Sequence, residues 1–215
     1  MDASLVEWRR ILLWSAELQP AVITVEAENR TQMVQAQIQR DIQKTSMTRE
    51  QFLSSLNIHI EMKTINDVSD ALFKRLFELI NKTNQFNTTG VRWSIAEFEG
   101  LFSQGGCVFI FNVKDRYTNY GWVGAVVIRG NLIEQFVLSC RVFGMDVEMA
   151  CVAISVRNLR QKGGALSVSA RLAETPKNHL CLGIYESTGF SVREDGLWHL
   201  IPSMSVEIPS HFVVS

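Results

Sequence analysis

From Asn57 to Ile201 the chain switches between strand-like alternation and helix-like periodicity in one order, and that order limits its fold more than any single residue does. Ile58, Ile60 and Met62 alternate with His59, Glu61 and Lys63, the pattern of a half-buried strand. An amphipathic helix is predicted over Asp67–Asn81 and another over Ser94–Phe102, where Ser94 and Glu97 form a capping box. Three strands are expected next, Cys107–Val113, Trp122–Ile128 and Leu132–Ser139, with turn signals at Asn119–Gly121 and Gly130–Asn131. A long helix follows from about Met145 to Lys162 and stops at Gly163–Gly164. Leu166, Val168 and Ala170 alternate again. After a short helix, Phe190–Arg193 and Leu197–Ile201 close a hairpin around Asp195–Gly196. The order is β-α-α-β-β-β-α-β-α-β-β.

The residues before Asn57 read differently. Leu5, Trp8, Leu12 and Leu13 form an amphipathic stripe, and Ala27–Lys44 is rich in helix formers. Thr48 and Gln51 fit a capping box, flanked by Met47 and Phe52 as a staple, so a third short helix is expected to about Ser55. The expected division is a helical extension over 1–56 and a domain over 57–215. A chain of 215 residues is long enough to bury a real core. A net charge of −1 without a basic run argues against nucleic acid. No apolar stretch reaches membrane-spanning length and the N-terminus lacks signal-peptide form, so a cytoplasmic protein is expected. Cys107, Cys140, Cys151 and Cys181 form no Cys-x-x-Cys pair and the histidines lack ligand spacing, so no metal is expected.

Two stretches are candidates for chemistry. SCRVFGMDVEMA (Ser139–Ala150) is a strand end, a glycine loop and a helix start, which offers backbone N–H groups and a dipole to an anion. Arg141, Val142 and Gly144 are its candidate contacts, with a plain turn glycine as the alternative. In TPKNHLCLGIYESTGF (Thr175–Phe190), Pro176 sits near a helix start and Gly189 at its stop. Asn178 and Tyr185 are seven residues apart, about two turns, and share a face of the expected helix. Glu148 is either a first-turn residue favoured by the helix dipole or a general base raised by burial. Cys140 is either a covalent nucleophile or an inert buried thiol. The polar stretch KTNQFN (Lys82–Asn87) makes a turn in its own right or contacts a ligand.

On these residues the chain resembles the GNAT superfamily of acyltransferases, with Arg141, Gly144, Asn178, Tyr185, Gly189 and Phe190 in the motif positions. The resemblance implies an α/β (α+β) fold, a GNAT-like mixed central sheet flanked by helices. It implies that Tyr185 protonates a departing thiolate, that Asn178 holds the pantetheine arm or orients the sulfur, and that Thr83, Asn84 and Gln85 border the acceptor. Asp146 departs from the pattern, standing where the superfamily has Gly or Ala. KTNQFN, VKDRYTNYGWVG, SCRVFGMDVE and TPKNHLCLGIYESTGF together resemble, more closely, the C-terminal part of FkbH-like proteins, over residues 27–201. That family joins a HAD-type phosphatase-like domain, absent here, to a GNAT-like domain and loads glyceryl units onto acyl carrier proteins in polyketide pathways. The resemblance implies an acyltransferase using acyl-CoA or acyl-phosphopantetheine as co-substrate, with no tightly bound cofactor. A carboxylate at 146 repels phosphates, which favours a carrier-protein arm with one phosphate over CoA. The expected partners are an acyl carrier protein, a separate HAD-type protein and a second copy of the chain. The alternatives are a non-catalytic docking module for such partners, presenting Trp8 and Trp14, and an N-acetyltransferase for a small amine.

Overall fold

The computed structural model describes residues 45–163 and 167–214, with positions 35, 38–40 and 42 also defined. The stripe over Leu5–Leu13, Trp14 and most of Ala27–Lys44 lie outside the described residues; the five positions defined in that last segment are helical. The chain divides into a unit over Met1–Ser46 and a second over Met47–Ser215.

Helix α1 (Arg49–Ser55) starts where the capping box places it: Thr48 Oγ1 accepts from the Gln51 amide, and the Gln51 side chain accepts from the Thr48 amide. Phe52, Leu53 and Leu56 are core residues, so α1 belongs to the second unit, and the expected boundary at 56/57 moves back to 46/47. Strand β1 (Ile58–Ile65) follows, then α2 (Phe73–Lys82) and α3 (Ile95–Ser103). Helix α2 begins six residues later than Asp67 because two aspartates hold turns there. The Ser69 amide donates to Asp67 Oδ1 and the Leu72 amide to Asp70 Oδ1, each at 2.7 Å. The capping box of α3 is formed as expected, with Ser94 and Glu97 exchanging bonds.

Strands β2 (Cys107–Lys114), β3 (Asn119–Arg129) and β4 (Leu132–Leu138) form an antiparallel meander. Their apolar runs are nearly continuous because both faces of the sheet are covered. On one face, Phe109, Phe111, Phe136 and Leu138 pack in a cluster with α1 and the helix α4 (Val147–Gly163). On the other, Val108, Ile110, Ala125, Val127 and Val137 pack with Phe73, Leu76 and Ile80 of α2 and Phe98 and Leu101 of α3. Helix α4 carries the chain to β5 (Val168–Ala170), which lies parallel to β4. Leu166 falls outside the described residues.

The segment after β5 differs from the expected single helix. It is a 3-10 turn at His179–Cys181 and a four-residue helix, α5 (Ile184–Ser187), broken at Gly183. Asn178 and Tyr185 therefore do not share a helix face. Strands β6 (Ser191–Val192) and β7 (Trp198–Leu200) form the expected hairpin, and an unanticipated β8 (Phe212–Val214) pairs parallel to β1. The mixed eight-stranded sheet has the order β6-β7-β5-β4-β3-β2-β1-β8 and is flanked by helices, the α/β (α+β) architecture expected of a GNAT-like domain. Among the described residues no helix is long and apolar enough to cross a membrane.

The end of β4 sets the position of the candidate site. Of β4, strand β5 meets only Leu132 and Ile133, while β4 continues to Leu138. Beyond Ile133 the parallel pair diverges, and residues 86–88 occupy the gap. The Leu138 amide donates to Phe86 O, the Thr88 amide donates to Phe136 O, and the Phe136 amide donates to Thr88 Oγ1 (2.9–3.0 Å). On its far side the same segment accepts from Ala173, whose amide donates to Thr88 O at 2.8 Å.

Candidate functional site

The polar stretch after α2 splits into two halves with opposite fates. Phe86, Asn87, Thr88 and Thr89 are buried, and their polar groups are stitched into a network. Asn87 Oδ1 accepts from Gln135 Nε2 at 2.6 Å and from the Gly90 amide at 2.8 Å. Gln135 Nε2 also donates to Val91 O, and its Oε1 accepts from Trp93 Nε1. Asn178 closes the network. Its Nδ2 donates to Asn87 O at 2.8 Å and to Ala173 O at 2.9 Å, and its Oδ1 accepts from the Thr175 amide at 2.7 Å. Asn178 is fully buried with both amide protons and the carbonyl engaged, so the side chain expected to hold a pantetheine arm instead holds the protein's own loop.

Tyr185 lies behind the same segment. Its ring packs against Phe190 and Trp198, it is fully buried, and its hydroxyl, close to Thr88 and Cys181, has no hydrogen-bond partner. Burial is the largest cause pushing its pKa up, so the phenol stays protonated. The hydroxyl has no exposed surface in this conformation, and Tyr185 does not line the cavity formed by Thr83, Asn84 and Gln85. Cys181 is likewise buried, its thiol pushed up to about 11 chiefly by desolvation.

Thr83, Asn84 and Gln85 have the other fate. They line a cavity of about 390 Å3 whose opposite wall is Leu138, Ser139, Cys140, Arg141 and Phe143 from the end of β4, with Arg75, Glu78 and Lys82 of α2 beside them. The cavity brings together the two polar loops that the sequence singles out, KTNQ and SCRVF. Arg92 fixes the first: its guanidinium donates to Ile80 O and Thr83 O at 2.7 Å and to Asn84 Oδ1. Gln85 is exposed.

The second loop is a 3-10 turn at Cys140–Val142. Two of the amides expected to meet an anion are spent within the turn itself. The Val142 amide donates to Ser139 O and the Phe143 amide to Cys140 O, and the Val142 side chain is buried in the core. The turn presents to the cavity the exposed Cys140 thiol and the exposed Arg141 guanidinium. Gly144 has φ +78°, where a side chain is strained, and Asp146 repeats that left-handed geometry at φ +61°. A backbone of this kind suits glycine, and aspartate is among the few other residues that adopt it. The Asp146 carboxylate is paired with Arg49 Nη2 at 2.5 Å, so its charge is balanced locally.

Glu148 stands beside this pair, outside the cavity. Burial first, then the Asp146 carboxylate, raises its pKa; its own backbone N–H and Arg49 pull the other way. Its Oε2 is buried without a partner. The site residues thus fall into three groups: Thr83, Asn84, Gln85 and Arg141 at the cavity, Glu148 with Arg49 and Asp146, and Asn178 and Tyr185 behind the 86–89 segment. Arg75 is a cavity residue that sequence reasoning passed over, since on an amphipathic helix it reads as part of a solvated face, whereas Lys82 opens the KTNQFN stretch. Among the described residues no group of three or more His, Cys, Asp or Glu side chains is placed to hold a metal ion.

No protein-family model matches the chain, and no curated protein does. Among solved structures the chain is similar to a domain from Methanocaldococcus jannaschii DSM 2661, at 16% identity and a TM-score of 0.46, covering 65% of this chain and 95% of that one.

Proposed function

We propose that the protein is a GNAT-type acyltransferase that moves an acyl group between a phosphopantetheine thioester, on a carrier protein or CoA, and an acceptor, in polyketide-type or other secondary-metabolite biosynthesis. The FkbH-like motifs motivate the reading. The observation that carries it is the meeting of the KTNQ and SCRVF loops in one open cavity that contains a free thiol.

The cavity suits thioester exchange. The Cys140 thiolate attacks the thioester carbonyl, the tetrahedral oxyanion collapses, and the arm leaves as a thiol after taking up one proton. One thioester replaces another, so the exchange is close to balanced in energy. An acceptor nucleophile then attacks the acyl-Cys140 carbonyl, loses its proton and regenerates the cysteine thiol. Thr83, Asn84 and Gln85, on the wall facing Cys140, are placed to contact the acyl unit or acceptor. Backbone N–H help from β4 is not available, because the Phe136 and Leu138 amides are bonded to Thr88 Oγ1 and Phe86 O and the Ser139 amide to Val123 O.

The test is native mass spectrometry of the protein titrated with CoA, acetyl-CoA and a phosphopantetheinylated acyl carrier protein charged with a short acyl group. The expected result is a complex with the carrier and an acyl mass increment on the protein that Cys140→Ser abolishes. Binding of the carrier without any acyl transfer would favour the docking module. Turnover of acetyl-CoA onto a small amine, with no need for a carrier, would favour the N-acetyltransferase.

A further inference from the structure

The cavity beside Cys140 is lined by three cationic side chains, Arg75, Lys82 and Arg141, and one carboxylate, Glu78. Glu78 is already shared: its oxygens lie 3.5 Å from Arg75 Nη1 and 3.5 Å from Lys82 Nζ. Arg141 makes no hydrogen bond or ion pair among the described residues, and the electrostatic interaction it has is repulsion with Arg75. Arg75 cannot swing away to relieve that repulsion. Its Nε and Nη2 both donate to Trp122 O, at 3.0 and 2.9 Å, which fixes the plane of a half-buried guanidinium. Burial and the Arg141 charge both lower the Arg75 pKa, as expected where like charges are held together. Like charges held around a concave site, one rigid and one without a partner, are what an anion relieves on binding.

We infer that Arg75, Lys82 and Arg141 form a receptor for an oxyanion, a phosphate or carboxylate group, held in the same cavity as the Cys140 thiol. The inference deepens the acyltransferase reading by giving the substrate a charged group near the reacting sulfur, yet it stands on the cavity's own charges. Two sources carry that chemistry: the phosphate of a phosphopantetheine arm, or an acid group on the acyl unit itself.

Cys140 reports on its surroundings through two alkylating agents of similar size. Iodoacetate is an anion and iodoacetamide is neutral, so their rate ratio cancels the thiolate fraction and reads the local potential. Cys151 and Cys181 are buried and Cys107 half-buried, and peptide mapping assigns the modified thiol. At low salt the iodoacetate-to-iodoacetamide ratio at Cys140 should exceed that of glutathione by roughly three- to tenfold, the scale of one or two screened charges about 6 Å away. Arg141→Gln and Lys82→Gln, both at exposed positions, should each bring the ratio down, with unchanged thermal melts as the folding control. Inorganic phosphate and malonate should slow iodoacetate at Cys140. Better protection by S-methyl phosphopantetheine than by S-methyl pantetheine assigns the anion to the arm. Equal protection by those two, with phosphate or malonate protecting, assigns it to the acyl unit. A ratio equal to that of glutathione, unmoved by either substitution and by every anion, overturns the receptor. Because the readout is alkylation, an absence of acyl transfer would sink the acyltransferase reading and leave the receptor standing.

Discussion

The two halves of one loop can be set side by side. Residues 86–89 and residues 83–85 are adjacent, polar and equally suggestive as sequence, yet the first are buried with their hydrogen bonds spent and the second line an open cavity. The buried half is architecture: Asn87, Gln135 and Asn178 fill the gap where β4 and β5 part. The open half faces an exposed thiol and three cations with one carboxylate among them. Diverging parallel strands are a usual place for a ligand, but here the protein's own chain has taken it, and the ligand-accessible surface lies on the other side of that chain. Polar groups serve chemistry when some of their bonding capacity is left over.

The sharpest way to break this contrast is through Asn87. Asn87→Leu leaves one of the two Gln135 Nε2 protons without its acceptor, the other staying on Val91 O, and takes the acceptor from the partly buried Gly90 amide; it should cost about 2–4 kcal/mol, since each buried unsatisfied group costs ~1–3 kcal/mol. Urea denaturation reads this; a loss below about 1 kcal/mol would mean the network is not what holds the segment. On the open side, Cys140→Ala should lower acyl transfer by at least about a hundredfold, the scale on which one reacting group contributes, while stability changes by no more than ~0.5 kcal/mol, as at other exposed positions. Retained turnover in that variant would move the chemistry elsewhere.

Glu148 gives a pH prediction. Its folded pKa is raised, so the folded state binds the proton more tightly than the unfolded chain does. Stability from this group is therefore present at low pH and falls as pH rises above the ordinary glutamate range. Glu148→Gln should raise the melting temperature at pH 8, and the gain over wild type should vanish near pH 4. An equal gain at both pH values would assign the effect to packing instead. The smallest effect is expected at Asp146. Asp146→Gly relieves a left-handed aspartate but gives up the exposed pair with Arg49 and adds unfolded-state freedom, terms of about 1 kcal/mol each that nearly cancel. Titration calorimetry with CoA would then show whether the carboxylate, with Arg49 beside it, hinders phosphate binding at all.

How much of this was legible in the sequence depended on how local each signal was. Both capping boxes, Thr48–Gln51 and Ser94–Glu97, lie within one turn and read correctly. The strands over 107–138 announce themselves because both sheet faces are covered and the runs are apolar throughout. Strand β8 escaped notice because three residues, Phe212–Val214, carry no usable period. The fate of Asn178 was out of reach: its decisive partner, Asn87, is 91 positions away. The spacing of Asn178 and Tyr185 suggested a shared helix face, but Gly183 divides the segment and the tyrosine turns into the core. Arg75 was hidden for the same reason, since only the fold brings α2 against the end of β4.

The central claim is that chemistry belongs to the open cavity and not to the buried Asn178 and Tyr185. The most direct measurement is to mix the protein with a carrier protein bearing a radiolabelled acyl thioester, quench in acid, digest and locate the label, in wild type, Cys140→Ala and Tyr185→Phe. Label on the peptide containing Cys140, absent in Cys140→Ala and undiminished in Tyr185→Phe, is the predicted result. Product formation that survives Cys140→Ala and disappears in Tyr185→Phe would contradict it.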